Sequence, residues 1–149
     1  MQDLQIRKAH PEDASAILNL VMELAIYEKA PEAVHTQEQD YRDGLQNGLF
    51  EAFVAESKDN GIIGMALYFP HFSTWNGKTL YLEDFVVSEK FRKSGIGKLL
   101  FEAYLEEAKR QGAKMVKWQV LDWNEPAKKF YKKYATVFFP GWENGVILL

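Results

Sequence analysis

Two carboxylates stand side by side at Glu83-Asp84 inside an otherwise apolar stretch, Leu80-Tyr81-Leu82-Glu83-Asp84-Phe85-Val86-Val87. Carboxylates in such a run are costly to bury, so the pair calls for a proton to accept or a cation to hold. On a regular strand neighbours point to opposite faces, and both reach one site only through a bulge or splay. A plainer alternative is that one of them tops a sheet edge or pairs with a lysine. A second cluster follows at Glu89-Lys90-Phe91-Arg92-Lys93-Ser94-Gly95-Ile96-Gly97-Lys98. Glycines at 95 and 97 let backbone N–H groups turn toward an anion, the start of a helix adds a partial positive charge, and Arg92, Lys93 and Lys98 add full ones. A pyrophosphate suits such a loop. The spacing is not that of a nucleotide P-loop, since Leu99 follows Gly97-Lys98 and Arg92 stands where the first glycine belongs, and there is no GxGxxG. In isolation a softened turn with solvated lysines fits the same residues; the position between a strand and a long helix favours the anion site.

These groups need a scaffold, and the chain is one domain long at 149 residues. Its 47% hydrophobic and 26% charged residues are those of a globular protein. No apolar run approaches the roughly 20 residues of a membrane span, and Met1–Arg7 carries no basic stretch followed by an apolar one, so a soluble, cytoplasmic protein is expected. With no cysteine, disulfides, thiolate ligands and a cysteine nucleophile are excluded. His10, His35 and His71 are not at metal-ligand spacing, and no metal is expected. A net charge of −3 speaks against nucleic acid as the main partner and suits a small cationic one.

Leu4 and Ile6 alternate with polar residues as in a short strand, and Ile17, Leu20, Val21 and Leu24 recur at helical spacing after Pro11. Thr36 with Gln39 reads as a capping box opening a second helix that Gly44 and Gly48 fray and end. Phe50–Glu56 and Ile62–Phe69 form a hairpin across Lys58-Asp59-Asn60-Gly61, and Thr79–Val87 makes another strand. A long helix carries Ile96, Leu99, Leu100, Ala103 and Ala108 up to Gly112, Met115–Leu121 alternates as a strand, and Asn124 caps a short helix through Tyr131 and Lys133. Thr136–Leu149 reads as a final hairpin around Pro140-Gly141. The order βααβββαβα followed by ββ is a mixed α/β (α+β) domain covering residues 1–149 around a single sheet.

Arg92-x-x-Gly95-x-Gly97 after the Leu80–Val87 strand resembles the acetyl-CoA signature of the GNAT superfamily of N-acetyltransferases. Tyr81-Leu82-Glu83-Asp84-Phe85, Gly95-Ile96-Gly97, Trp123-Asn124-Glu125-Pro126, Phe130-Tyr131-Lys132, Glu23-Leu24-Ala25 and Tyr27-Glu28 are together similar to the diamine (spermidine/spermine) and thialysine acetyltransferases. The resemblance spans roughly residues 4 to 133. It implies the GNAT fold, a largely antiparallel sheet flanked by helices, and transfer of acetyl from acetyl-CoA to a primary amine of a small cationic acceptor. An alkylammonium must lose a proton before it attacks the thioester, and the resemblance makes Glu83 the base through water, with Glu83 and Asp84 both binding the acceptor. The departing thiolate benefits from a proton, and Tyr131 matches the general acid; a buried tyrosine with a bonded hydroxyl is the plainer reading. By resemblance Phe85 and Val87 offer backbone groups to the pantetheine arm and Asn124 contacts it, although Asn124 is also a good N-cap. Lys133 matches a residue near a coenzyme A phosphate and equally a solvated lysine. Ser94 and Ile96 complete the loop that binds the cofactor. Tyr27, Glu28 and Trp75 match the rest of an acidic, aromatic acceptor pocket, with core or dimer-interface packing open for Tyr27 and Trp75. The resemblance also implies a homodimer.

The chain departs from that pattern in places. Phe72-Ser73-Thr74 lacks the acidic residue that precedes the tryptophan in polyamine acetyltransferases, which favours a shorter or amino-acid-like amine such as thialysine. Ala135 stands where a glycine is usual, at a cost on the order of 1 kcal/mol if φ is positive. The tail ending Trp142-Glu143-Asn144-Gly145-Val146-Ile147-Leu148-Leu149 is short. Two other functions fit less well: an acyl-CoA-binding sensor without transferase activity, against which Glu83 and Tyr131 speak, and acetylation of a protein or peptide lysine, which needs an open groove.

Overall fold

The computed structural model describes residues 3–149; Met1 and Gln2 of the Met1–Arg7 stretch lie outside the described residues. The chain forms two compact units, the first ending at Gln119 and the second running from Val120 to Leu149.

The first unit holds β1 (Leu4–Lys8), α1 (Ala14–Tyr27), α2 (Glu38–Asn47), β2 (Glu51–Ser57), β3 (Gly61–Ser73), β4 (Gly77–Val87), α3 (Ile96–Arg110) and β5 (Met115–Trp118). The five strands lie in the order β1-β2-β3-β4-β5, antiparallel except for β4 and β5, which are parallel and joined through α3. Alternation along the strands divides the core between two faces. Ala52, Val54, Met65, Leu67 and Val86 face Ala14, Ile17 and Leu20 of α1 and Tyr41 of α2. Ala55 and Ile63 face Ile96 and Leu100 of α3. This is the expected largely antiparallel sheet flanked by helices.

Details differ from the sequence reading. The cap of α2 is Gln37 rather than Thr36: the Gln37 N–H donates to Asp40 at 2.7 Å, while the Thr36 hydroxyl is hydrogen-bonded to the Tyr41 hydroxyl at 2.7 Å. Gly44 does not fray the helix. A Cβ there would stand 2.1 Å from the Phe50 ring, so the glycine is a packing requirement, and Gly48 alone provides the left-handed cap. β5 stops at Trp118, short of the expected Leu121.

In the second unit, α4 (Glu125–Tyr131) begins at Asn124, whose side-chain oxygen accepts from the Ala127 N–H at 3.3 Å. Ala135 is left-handed at φ 56°, and the Thr136 hydroxyl donates to the Tyr131 carbonyl at 2.6 Å. The hairpin expected over Thr136–Leu149 does not form, and no strand is present there. Pro140 has no N–H to donate, and Val137, Phe139, Trp142 and Val146–Leu149 are all exposed, so neither a ladder nor a buried face rewards extended backbone.

Glu107 of α3 is buried at 5% exposure, bonded by Arg110 and Gln111 and 3.4 Å from Lys8, which also pairs with Glu51 at 2.9 Å. The Arg110 hydrogen bonds hold its carboxyl at about 2 instead of 4.5, with Gln111 and Lys8 helping against desolvation. A depressed folded pKa stabilises above the unfolded pKa and is lost as pH falls through the folded one. Thermal melts should show Glu107→Gln lowering Tm at pH 7 by roughly 3–6 °C, with a shallower loss of Tm than wild type between pH 4.5 and 2.

Candidate active site

The ladder between β3 and β4 steps from Leu67↔Asp84 to Tyr68↔Leu82 and leaves Glu83 as an extra residue. This bulge is the break in the pleat that the adjacent carboxylates require, because it re-aims side chains that regular alternation would separate. Glu83 is exposed and Asp84 half-buried. Burial, together with the charges of Glu83 and of Glu28, just past α1, pushes the Asp84 carboxyl up to about 6. Burial also raises Glu28. Tyr81 is raised by burial and by Glu83, and Tyr41 of α2 by burial with Asp84 contributing. The end of α1, α2 and the β4 bulge therefore share one acidic region, in which Glu83 and Glu28 act electrostatically on Asp84.

The β4–β5 ladder ends at Leu82↔Trp118, so β4 continues from Glu83 to Val87 beyond it. Ser88 then leads through a short turn, Glu89–Phe91, to Arg92, Lys93, Ser94 and Gly95 at the head of α3. Gly95 is left-handed at φ 86° and caps α3, and Lys93 is left-handed at φ 63°. Arg92, Lys93, Ser94, Gly95 and Lys98 are exposed, while the Ile96 side chain is locked into the core and only its backbone faces the loop. A Cβ on Gly97 would meet the Phe85 ring at 3.6 Å and Val87 at 3.8 Å, ordinary contacts. Exposed cations and a helix start bare of side chains fit a phosphate-bearing ligand along Phe85 and Val87.

Arg92 donates from Nε to the Val87 carbonyl at 2.9 Å, and its guanidinium lies over the Tyr27 ring, 5.1 Å from the centroid. Tyr27 thus stands between the basic loop and Glu28. Of the expected acceptor residues the structure brings Tyr27, Glu28, Glu83 and Asp84 into one region. Trp75 is elsewhere: it sits 88% exposed in the β3–β4 turn before Gly77, and Gly77 is itself roughly 20 Å along the strand from Glu83 at about 3.3 Å per residue. Asn124, Tyr131 and Lys133 belong to the second unit, where Tyr131 is buried and packs edge-on against Phe130 at 5.6 Å and Lys133 is exposed. Tyr81 and Tyr41 were not foreseen as neighbours of the carboxylates. Glu23 was quoted only within a motif, yet it accepts from the Ser88 hydroxyl at 2.7 Å and from the Glu89 N–H at 2.8 Å. Among the described residues no group of His, Cys, Asp and Glu could hold a metal ion, and no helix is long and apolar enough to cross a membrane.

A basic helix start at the end of a strand, beside grouped carboxylates, suits a group-transfer enzyme. The chain belongs to the acetyltransferase (GNAT) family, which matches residues 15–135, and it is an acetyltransferase. It is 35% identical over 141 residues to the thialysine N-epsilon-acetyltransferase of Mus musculus, covering 89% of this chain and 83% of that protein. It is 32% identical over 139 residues to the human spermidine/spermine N(1)-acetyltransferase-like protein 1, covering 88% of this chain and 20% of that longer one. In fold it is similar to an aminoglycoside acetyltransferase from an uncultured soil metagenomic sample, with TM-score 0.80, 19% identity, and coverage of 98% and 96% of the two chains.

Asp84 has a folded pKa above its unfolded value of 3.8, so its ionisation costs stability progressively as pH rises from there through about 6. Asp84→Asn should therefore raise Tm at pH 7.5 by roughly 2–6 °C and not at pH 3.5. In Glu28→Gln, an NMR titration of the Asp84 carboxyl should give a pKa below that of wild type. An unmoved value would separate the two groups.

Proposed function

We propose that the protein transfers the acetyl group of acetyl-CoA to a primary amine of a small cationic acceptor, by direct attack in a ternary complex. The observation that carries this reading is the acidic region of Glu28, Glu83 and Asp84 beside the Arg92–Lys98 loop, in which burial and the charges of Glu83 and Glu28 raise Asp84 and burial raises Glu28. Like charges so gathered are relieved by a cation, and an ammonium acceptor supplies one. Arg92, Lys93, Ser94, Gly95, Gly97, Lys98 and the Ile96 backbone hold the pyrophosphate, with Phe85, Val87, Asn124, Tyr131 and Lys133 along the rest of the cofactor.

In the reaction the acceptor ammonium gives a proton to Glu83 through water. The freed nitrogen attacks the thioester carbonyl, the carbon–sulfur bond breaks, the leaving sulfur takes the Tyr131 proton, and the proton that the acylated nitrogen must lose to become an amide goes to solvent, from which Tyr131 is reprotonated. No covalent enzyme intermediate arises. Thialysine or a similar short amine is the preferred acceptor over long polyamines. The thialysine acetyltransferase relatives support this, as does the absence of an acidic residue in Phe72-Ser73-Thr74 before Trp75. The enzyme works as one cytoplasmic domain over residues 1–149 and as a homodimer, with no metal, nucleic acid or membrane partner.

Coenzyme A release should be followed across thialysine, lysine, short diamines, spermidine, spermine and peptides. One small-amine class is expected to turn over, with kcat reduced about 10²-fold or more in Tyr131→Phe and Glu83→Gln. Binding of acetyl-CoA without amine-dependent release would point to the sensor, and preference for peptides to a protein acetyltransferase.

A further inference from the structure

Glu23 lies on α1, half-buried, and its carboxylate reaches across to the segment that leaves β4. One oxygen accepts from the Ser88 hydroxyl at 2.7 Å and the other from the Glu89 N–H at 2.8 Å. Ser88 and Glu89 open the turn in which Phe91 N–H donates to Ser88 at 2.9 Å and Arg92 N–H to Glu89 at 3.3 Å. The Glu89 N–H is an orphan donor at the head of that turn, so Glu23 supplies the cap from a different element. Downstream of this anchor come Arg92, Lys93 at φ 63° and Gly95 at φ 86°, a path that few residues adopt unaided.

We infer that Glu23 is a positioning residue for the phosphate-binding loop: by holding Ser88 and Glu89 it sets the loop that presents Arg92, Lys93 and the head of α3 to the cofactor. The inference rests on the acetyl-CoA reading above. Its electrostatics make it decidable. A carboxylate near a polyanion site repels the ligand through its charge, so if charge were its only effect, deleting it would tighten binding. As an anchor, deleting it loosens the loop and weakens binding. The two roles predict opposite signs.

Coenzyme A binding should be measured by isothermal titration, well below the Tm of each variant. Glu23→Ala is expected to bind about tenfold more weakly, the loss of hydrogen bonds to a charged acceptor. Glu23→Gln should bind at least as tightly as wild type, because its carbonyl can accept from Glu89 while its amide donates to the rotatable Ser88 hydroxyl, and the repelling charge is gone. In turnover, Glu23→Ala should raise KM for acetyl-CoA and leave kcat at saturation unchanged, a split that general destabilisation does not produce. Equal or tighter binding by Glu23→Ala overturns the inference. Should that variant fail to fold, Ser88→Ala carries the test, with about threefold weaker binding expected and unchanged binding overturning it. Absence of coenzyme A binding by the wild type would instead overturn the acetyl-CoA reading, and with it this role.

Discussion

A β-strand cannot turn two consecutive side chains toward one region while its ladder stays regular, and β4 meets that constraint with the extra residue at Glu83. Much of the molecule is arranged around this strand. On its N-terminal side Leu80 and Leu82 are buried and the backbone pairs on both edges, with β3 and with β5. Tyr104 of α3 binds the Leu80 carbonyl at 2.5 Å and fixes helix to strand. Past the bulge the ladder with β5 has ended and Phe85–Val87 run toward the head of α3. One strand is thus both a core element and the floor of the site.

The second organising element is the end of α1, which touches both charged regions. Arg92 stacks on Tyr27, while Glu28, next in the chain, is one of the two carboxylates that raise Asp84. The basic groups gather at the start of α3, where Lys98 also lies 4.0 Å from Glu102, and Glu28, Glu83 and Asp84 gather at the bulge. A direct ion pair between them would satisfy both sets and leave neither for a ligand. The aromatic ring of Tyr27 lets the guanidinium rest on α1 without neutralising Glu28.

Much of this was legible in the residues, because it follows from local rules. Glu83-Asp84 within an apolar run could share one site only through a bulge or splay, and a bulge is there; Gly112 at φ 76° and Asn124 as a cap follow from helix-end chemistry. Ala135 adopts the positive φ that made its identity a cost. What escaped depends on contacts between segments distant in sequence. Whether Thr36 or Gln37 caps α2 is decided by Tyr41 taking the Thr36 hydroxyl, and whether Gly44 is a breaker or a packing residue is decided by the Phe50 ring. Glu23 acts on Ser88 and Glu89 across 65 and 66 residues of sequence, which no local pattern encodes. A hairpin around Pro140-Gly141 rests on a turn signal alone, and a turn signal makes strands only where partner and buried face exist.

The loop at the head of α3 is where local preference and observed structure disagree most. Lys93 occupies a left-handed conformation that ordinary side chains adopt at a cost, and Gly97 sits in the first turn of a helix, where glycine costs up to about 1 kcal/mol relative to alanine. Nothing within the chain asks for that glycine: its backbone is helical and the space for a Cβ is ordinary, with Phe85 at 3.6 Å. Gly44 makes the contrast, since there a Cβ would collide with a ring at 2.1 Å. An internal packing demand therefore explains one glycine and not the other. When a sequence departs from the locally favoured residue without an internal reason, the reason lies in what the surface must admit. At Gly97 the surface offers bare backbone, beside three exposed basic side chains and at the positive end of the longest helix in the first unit.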